Sequence, residues 1–186
     1  MSSSLFDGVE NANGLLLAAI SPMFLAFIPV TNYLTTPNGF IQKTLETLLS
    51  LIPGSENITV DRAIPALSAF YIFWTFAATG AASAAGLGSN PRKDVTSLRG
   101  LPLRLRSAHY NTMEMFPGFA LAATLAQTTA PSNQVLINLL GLHVLAKVAV
   151  YYPAYLLDIA PLRSLAHFVA TSSVINVAWQ VAKGAR

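Results

Sequence analysis

The sequence predicts an all-α membrane protein, and three observations predict it. Hydrophobic residues make up 53% of the 186 residues and charged residues only 10%, against about 25% charged in ordinary soluble domains. Five apolar stretches, residues 14–34, 63–87, 113–130, 134–157 and 162–182, have about the length that crosses a bilayer, roughly 20 residues. No stretch alternates polar and apolar side chains at period two, as a membrane barrel requires. In lipid a segment outside a barrel must satisfy its own backbone, which leaves helices.

The first stretch contains Pro22 and Pro29 and comes after MSSSLFDGVENAN, which holds no Lys or Arg. A secretory leader needs a basic start, so this stretch is expected to be retained, crossing the bilayer or dipping into it. Next, Phe40, Ile41, Leu45, Leu48, Leu49 and Ile52 recur at helical spacing, with Gln42, Lys43, Glu46, Thr47 and Ser50 opposite. This is a short amphipathic helix over residues 39–52. At about four turns it cannot span, and it lies either in the interface or against the bundle.

The second stretch carries Ala77, Gly80, Ala81, Ala84, Ala85 and Gly88. Small residues at that spacing let helices approach closely, which places this helix inside an assembly. Ala130-Pro131-Ser132-Asn133 joins the third and fourth stretches, and Asp158-Ile159-Ala160-Pro161 the fourth and fifth. Stretches two to five therefore form consecutive antiparallel hairpins. The chain divides into a 1–62 extension and a 63–186 four-helix membrane domain.

Composition also excludes chemistry. The absence of cysteine removes disulfides, thiolate metal sites and cysteine nucleophiles. The net charge of +3 is local: Arg92, Lys93, Arg99, Arg104 and Arg106 share one loop. That is a cytoplasmic loop by the positive-inside bias and not a nucleic-acid surface.

Charged groups at membrane depth are costly and usually functional. Here they form three stripes. Arg106, Tyr110 and Glu114 are four apart, with His109 and Asn111 beside them. His143, Lys147, Tyr151 and Tyr155 form a ladder at spacing four, and so do Arg163, His167 and Thr171, with Ser164 next to the arginine. Residues three and four apart share a helix face. Three such stripes must face one another or a cavity, either as a packing network or as a site. Glu114 needs a cation from a neighbouring helix. Arg106, Lys147 and Arg163 against Glu114, with Asn and Tyr donors, suit a small zwitterion with more than one carboxylate. There is no Ser–His–Asp arrangement and no phosphate loop. His109, His143 and His167 lie at different depths, which argues against a shared metal.

The segments SNPRKDVTSLRG, RLRSAHYNTMEMFPGFALAATLA and KVAVYYPAYLLDIAPLRSLAHF resemble, in order, the membrane-associated proteins in eicosanoid and glutathione metabolism, the MAPEG family. The resemblance covers about residues 64–183 and implies a four-helix bundle of MAPEG type, here with an extra N-terminal apolar helix and the amphipathic helix. It implies a multi-pass protein of an organelle or bacterial inner membrane, a homotrimer, and glutathione bound between subunits. The implied binding set is Arg106, His109, Asn111, Glu114, Lys147, Tyr151 and Tyr155. Arg163 is implied to stabilise the thiolate, with Ser164 contributing. The chain departs from the family pattern at Ser107, Lys147, Val150 and Ala154. Two readings result: a glutathione-dependent transferase, peroxidase or isomerase acting on lipophilic substrates in membrane lipid, or a non-enzymatic subunit or lipid-binding scaffold. A small transporter or channel is the third, and it would need a continuous polar path.

Overall fold

The structure, a computed structural model, describes residues 18–50, 54–88 and 95–185. The start of the first stretch, Ile52 of the amphipathic helix, and Arg92 and Lys93 of the basic loop lie outside the described residues.

Six helical elements organise the described chain. α1 runs Met23–Leu34 and is interrupted at Phe27, where Pro29 opens its second half and supplies no backbone N–H. Twelve residues at 1.5 Å rise make about 18 Å, short of a hydrocarbon core of about 30 Å. α2, Phe40–Ser50, is the expected amphipathic helix. Its Ile41 and Leu45 are buried, and Leu45 sits on Gly141, so that a methyl group there would overlap it. Of the two placements open to α2, its apolar face takes the bundle.

α3 spans Val60–Ser83, α5 Gln134–Leu156 and α6 Ala160–Ala182; these three described helices are long and apolar enough to cross a membrane. α4, Gly100–Thr129, has 30 residues. It begins 13 residues before the apolar stretch at 113–130, because the polar prelude continues the same helix. Asn133 caps α5 by accepting from the backbone N–H groups of Val135 and Leu136 at 3.0 and 3.2 Å, which satisfies donors that a helix start leaves orphaned. No strand occurs among the described residues.

α6 packs on α5, α4 and α1; α3 packs on α4 and α5; and α2 packs on α5. At the centre, the His143 ring stacks on Phe119 at 5.3 Å and meets Tyr71 edge-on at 5.3 Å. Both α3 and α5 carry a π-helical stretch, Phe73–Ala78 and Ala146–Tyr151. Such a stretch widens the turn and shifts the phase of the helix beyond it.

Candidate functional site

A cavity of about 310 Å³ opens between α1, α4, α5 and α6. Asn111, Tyr151, Arg163, Ser164 and His167 line it, together with Phe24 and Phe168. Polar groups from all three sequence stripes thus meet on one cavity within a single chain.

Lys147 lies behind this cavity and is 1% exposed. Its ammonium donates to Asn111 Oδ1 at 2.8 Å and to His167 Nδ1 at 3.0 Å, and it stands 4.1 Å from the centre of the Tyr151 ring. An ammonium has donors only, so His167 accepts at Nδ1 and carries its own proton on Nε2. Among the described residues no carboxylate pairs with this ammonium; two neutral acceptors and the face of Tyr151 surround it instead. Lys147 therefore fixes the position of Asn111, and through His167 it ties α5 to α6.

Arg163 is half-buried near the start of α6. Its guanidinium lies 4.6 Å from the Tyr155 ring centre, a cation–π contact that holds it while leaving its N–H fork open. Ser164 is exposed. Tyr151 and Tyr155 pack together at 5.6 Å.

Three expected binding residues fall elsewhere. Arg106 donates to the Tyr110 hydroxyl at 2.7 Å and does not line the cavity. The Thr79 hydroxyl donates to the Thr75 carbonyl at 2.7 Å and lies 2.9 Å from His109 Nδ1, so it accepts from that nitrogen and holds the ring against α3. Glu114 is exposed, and among the described residues no cation lies within ion-pair distance of it. The expected interhelical ion pair of Glu114 is therefore not formed. Asn111 and Glu114 are three apart and lie within about 60° of each other on the helix, yet only Asn111 reaches Lys147, and the Glu114 side chain stays exposed.

The ladder on α5 divides as well. His143 is fully buried; its Nδ1 bonds to the Ala170 carbonyl at 3.0 Å and its Nε2 meets the Tyr71 hydroxyl at 3.1 Å. A carbonyl only accepts, so Nδ1 carries the proton and Tyr71 donates to Nε2. This histidine belongs to the core, and the π stretch after it separates its direction from that of Tyr151. Two cavity residues escaped the sequence argument, Phe24 and Phe168. Phe168 adjoins His167 in an apolar run, and no spacing rule links Phe24 to residues more than 80 positions away.

The arrangement offers one accessible cation, amide and hydroxyl hydrogen-bonding groups, and two apolar rings. Among the described residues no group of His, Asp and Glu side chains is placed to hold a metal. In comparison with known proteins, the MAPEG family matches residues 63–183. No curated protein and no solved structure matches the chain.

Proposed function

This chain belongs to the MAPEG family, and on that premise we propose that it is a glutathione-dependent transferase, peroxidase or isomerase acting on lipophilic substrates. The chain is an integral membrane protein, and members of the family generally use glutathione. The observation that carries the proposal is the meeting of Arg163, Ser164, Asn111 and Tyr151 on one cavity.

These residues fit an anionic tripeptide. Arg163 can bind a carboxylate or a thiolate, Asn111 and Tyr151 can bond peptide groups, and Tyr155 holds the guanidinium in place. Lys147 is a positioning residue behind Asn111. Arg106 and His109 are not needed for this set, because both are bonded away from the cavity. Glutathione supplies a thiol, whose ordinary pKa of about 8.5 leaves it mostly protonated at neutral pH. A guanidinium within about 4–6 Å favours the anion, and the anion is the nucleophile. Arg163 supplies that field and stays charged. Ser164 can donate one hydrogen bond to the same anion. A lipophilic electrophile reaches the cavity from the bilayer.

We read α3 to α6 as four crossing segments, with residues 1–62 as an extension of that domain. A homotrimer is part of the proposal. Exposed Ala77 and Ala81 on α3, with Ala84 and Ala85 in the turn after it, offer a close-packing face, and Glu114 is free to meet a cation of a neighbour. The test is the thiolate absorbance of bound glutathione, titrated with pH in wild type and Arg163→Ala. A lower ionisation midpoint in wild type, lost in the variant, is expected. Absence of any glutathione signal in wild type would transfer the chain to the scaffold reading.

A further inference from the structure

The residues matched to the family begin at 63, yet one side chain from well before that point lines the cavity. Phe24 packs on Phe168 with ring centres 4.7 Å apart and meets His167 edge-on at 5.9 Å. Phe27 stacks on the same Phe168 at 5.9 Å. Apart from Phe24 and Phe168, every lining side chain carries a polar group. Within the cavity, the hydrocarbon part of a ligand has these two rings as its apolar contacts.

α1 is bonded into this position. Buried Asn176 on α6 donates to Thr31 Oγ1 at 3.0 Å and to Asn32 Oδ1 at 2.7 Å. Gln180 donates to Asn32 at 3.3 Å, and buried Asn138 on α5 donates to the Thr35 carbonyl at 3.1 Å. Thr31, Asn138 and Asn176 are all fully buried. Buried side-chain amides need their partners, so this network sets the register of α1 on α5 and α6. Between this network and the cavity, Phe27 and Phe24 both rest on Phe168, which carries the register of α1 to the cavity.

We propose that Phe24 is a specificity-determining residue: with Phe168 it forms the apolar wall that receives the hydrocarbon part of the electrophile and limits its bulk. The polar part of the ligand lies on Asn111, Tyr151 and Arg163. The proposal rests on reading this cavity as the substrate site, and it adds to the family domain a wall supplied from outside it.

The chain contains no cysteine, so Ser164→Cys places a single thiol on the cavity. Its rates of reaction with N-ethylmaleimide and with the bulkier N-(1-pyrenyl)maleimide are compared in the detergent-purified full chain. Phe24→Ala in this background should lower the ratio of small-reagent to bulky-reagent rates by about tenfold, the scale on which a pocket discriminates small differences in size. Phe24→Trp should raise it, and Phe40→Ala, on α2 away from this cavity, should leave it unchanged. Phe24→Leu provides a milder truncation should Phe24→Ala not purify as a single species. An unchanged ratio across the Phe24 variants would overturn the proposal. Glutathione conjugation is measured separately on the Ser164 chain. A shifted ratio without conjugation would keep the wall and remove the glutathione reading, whereas conjugation with an unshifted ratio would remove the wall alone.

Discussion

Lys147 donates to Asn111 across 2.8 Å and joins α5 to α4 directly behind the cavity. Removing Asn111 takes one of two hydrogen bonds from the buried Lys147 ammonium, which keeps its bond to His167. A hydrogen bond to a charged group contributes about 1.5–3 kcal/mol, so Asn111→Leu should destabilise the folded protein on that scale. Lys147→Met should cost less, since it removes the charge together with its need. Because the two residues touch, the double variant should depart from additivity by about 0.5–3 kcal/mol. Unfolding in mixed micelles, monitored for the four proteins of the cycle, measures this coupling.

Arg163 is the cation of the cavity, held over Tyr155. Arg163→Ala should lower kcat/KM for glutathione conjugation by about 10²–10³, the loss seen when one preorganised group for a developing anion is removed. Arg163→Lys should recover little, because an ammonium cannot reproduce the planar fork or its seat on the tyrosine. Steady-state kinetics with oligomeric state checked in parallel decides between loss of chemistry and loss of fold.

Tyr71 and His143 test the opposite case, a polar pair that belongs to packing. Tyr71→Phe removes the donor to His143 Nε2 and should cost about 1–3 kcal/mol for the acceptor left buried. Turnover per folded protein should not change. A selective loss of turnover with intact stability would place this pair in the site.

Glu114 is exposed and unpaired among the described residues. Glu114→Gln should leave the unfolding midpoint of the isolated protomer unchanged. If glutathione's ammonium lies on this carboxylate in the assembled protein, calorimetry should show weaker glutathione binding in the variant. Unchanged affinity would remove Glu114 from the binding set.

Gly141 lies under Leu45 of α2. Gly141→Ala should cost about 1–3 kcal/mol through overpacking. Leu45→Ala alone opens a void and should cost about 2–5 kcal/mol, but the pair together should cost less than the sum, since each change relieves the other. Strict additivity would mean that α2 does not rest on α5 at this point.

Much of the fold is legible in the residue order. The apolar stretches 63–87, 134–157 and 162–182 correspond to Val60–Ser83, Gln134–Leu156 and Ala160–Ala182, and the amphipathic segment at 39–52 to Phe40–Ser50. Hydropathy misplaced the start of α4, because a turn of helix rich in Arg, His and Asn is as helical as an apolar one and only less oily. Among the described residues of one chain Glu114 has no cation at ion-pair distance, and spacing shows that Asn111 and Glu114 lie near one another on a helix without showing which partner each one meets.

By itself the sequence determined the solvent this chain folds in, the order of its helices and the list of polar groups carried into the bilayer, because burial of apolar side chains depends on composition and period. Only the tertiary structure decided how each helix is rotated, that the π stretch sends His143 into the core and Tyr151 into the cavity, and that Phe24 arrives beside His167. Those outcomes depend on side-chain packing between segments far apart in the chain, and no local period encodes it.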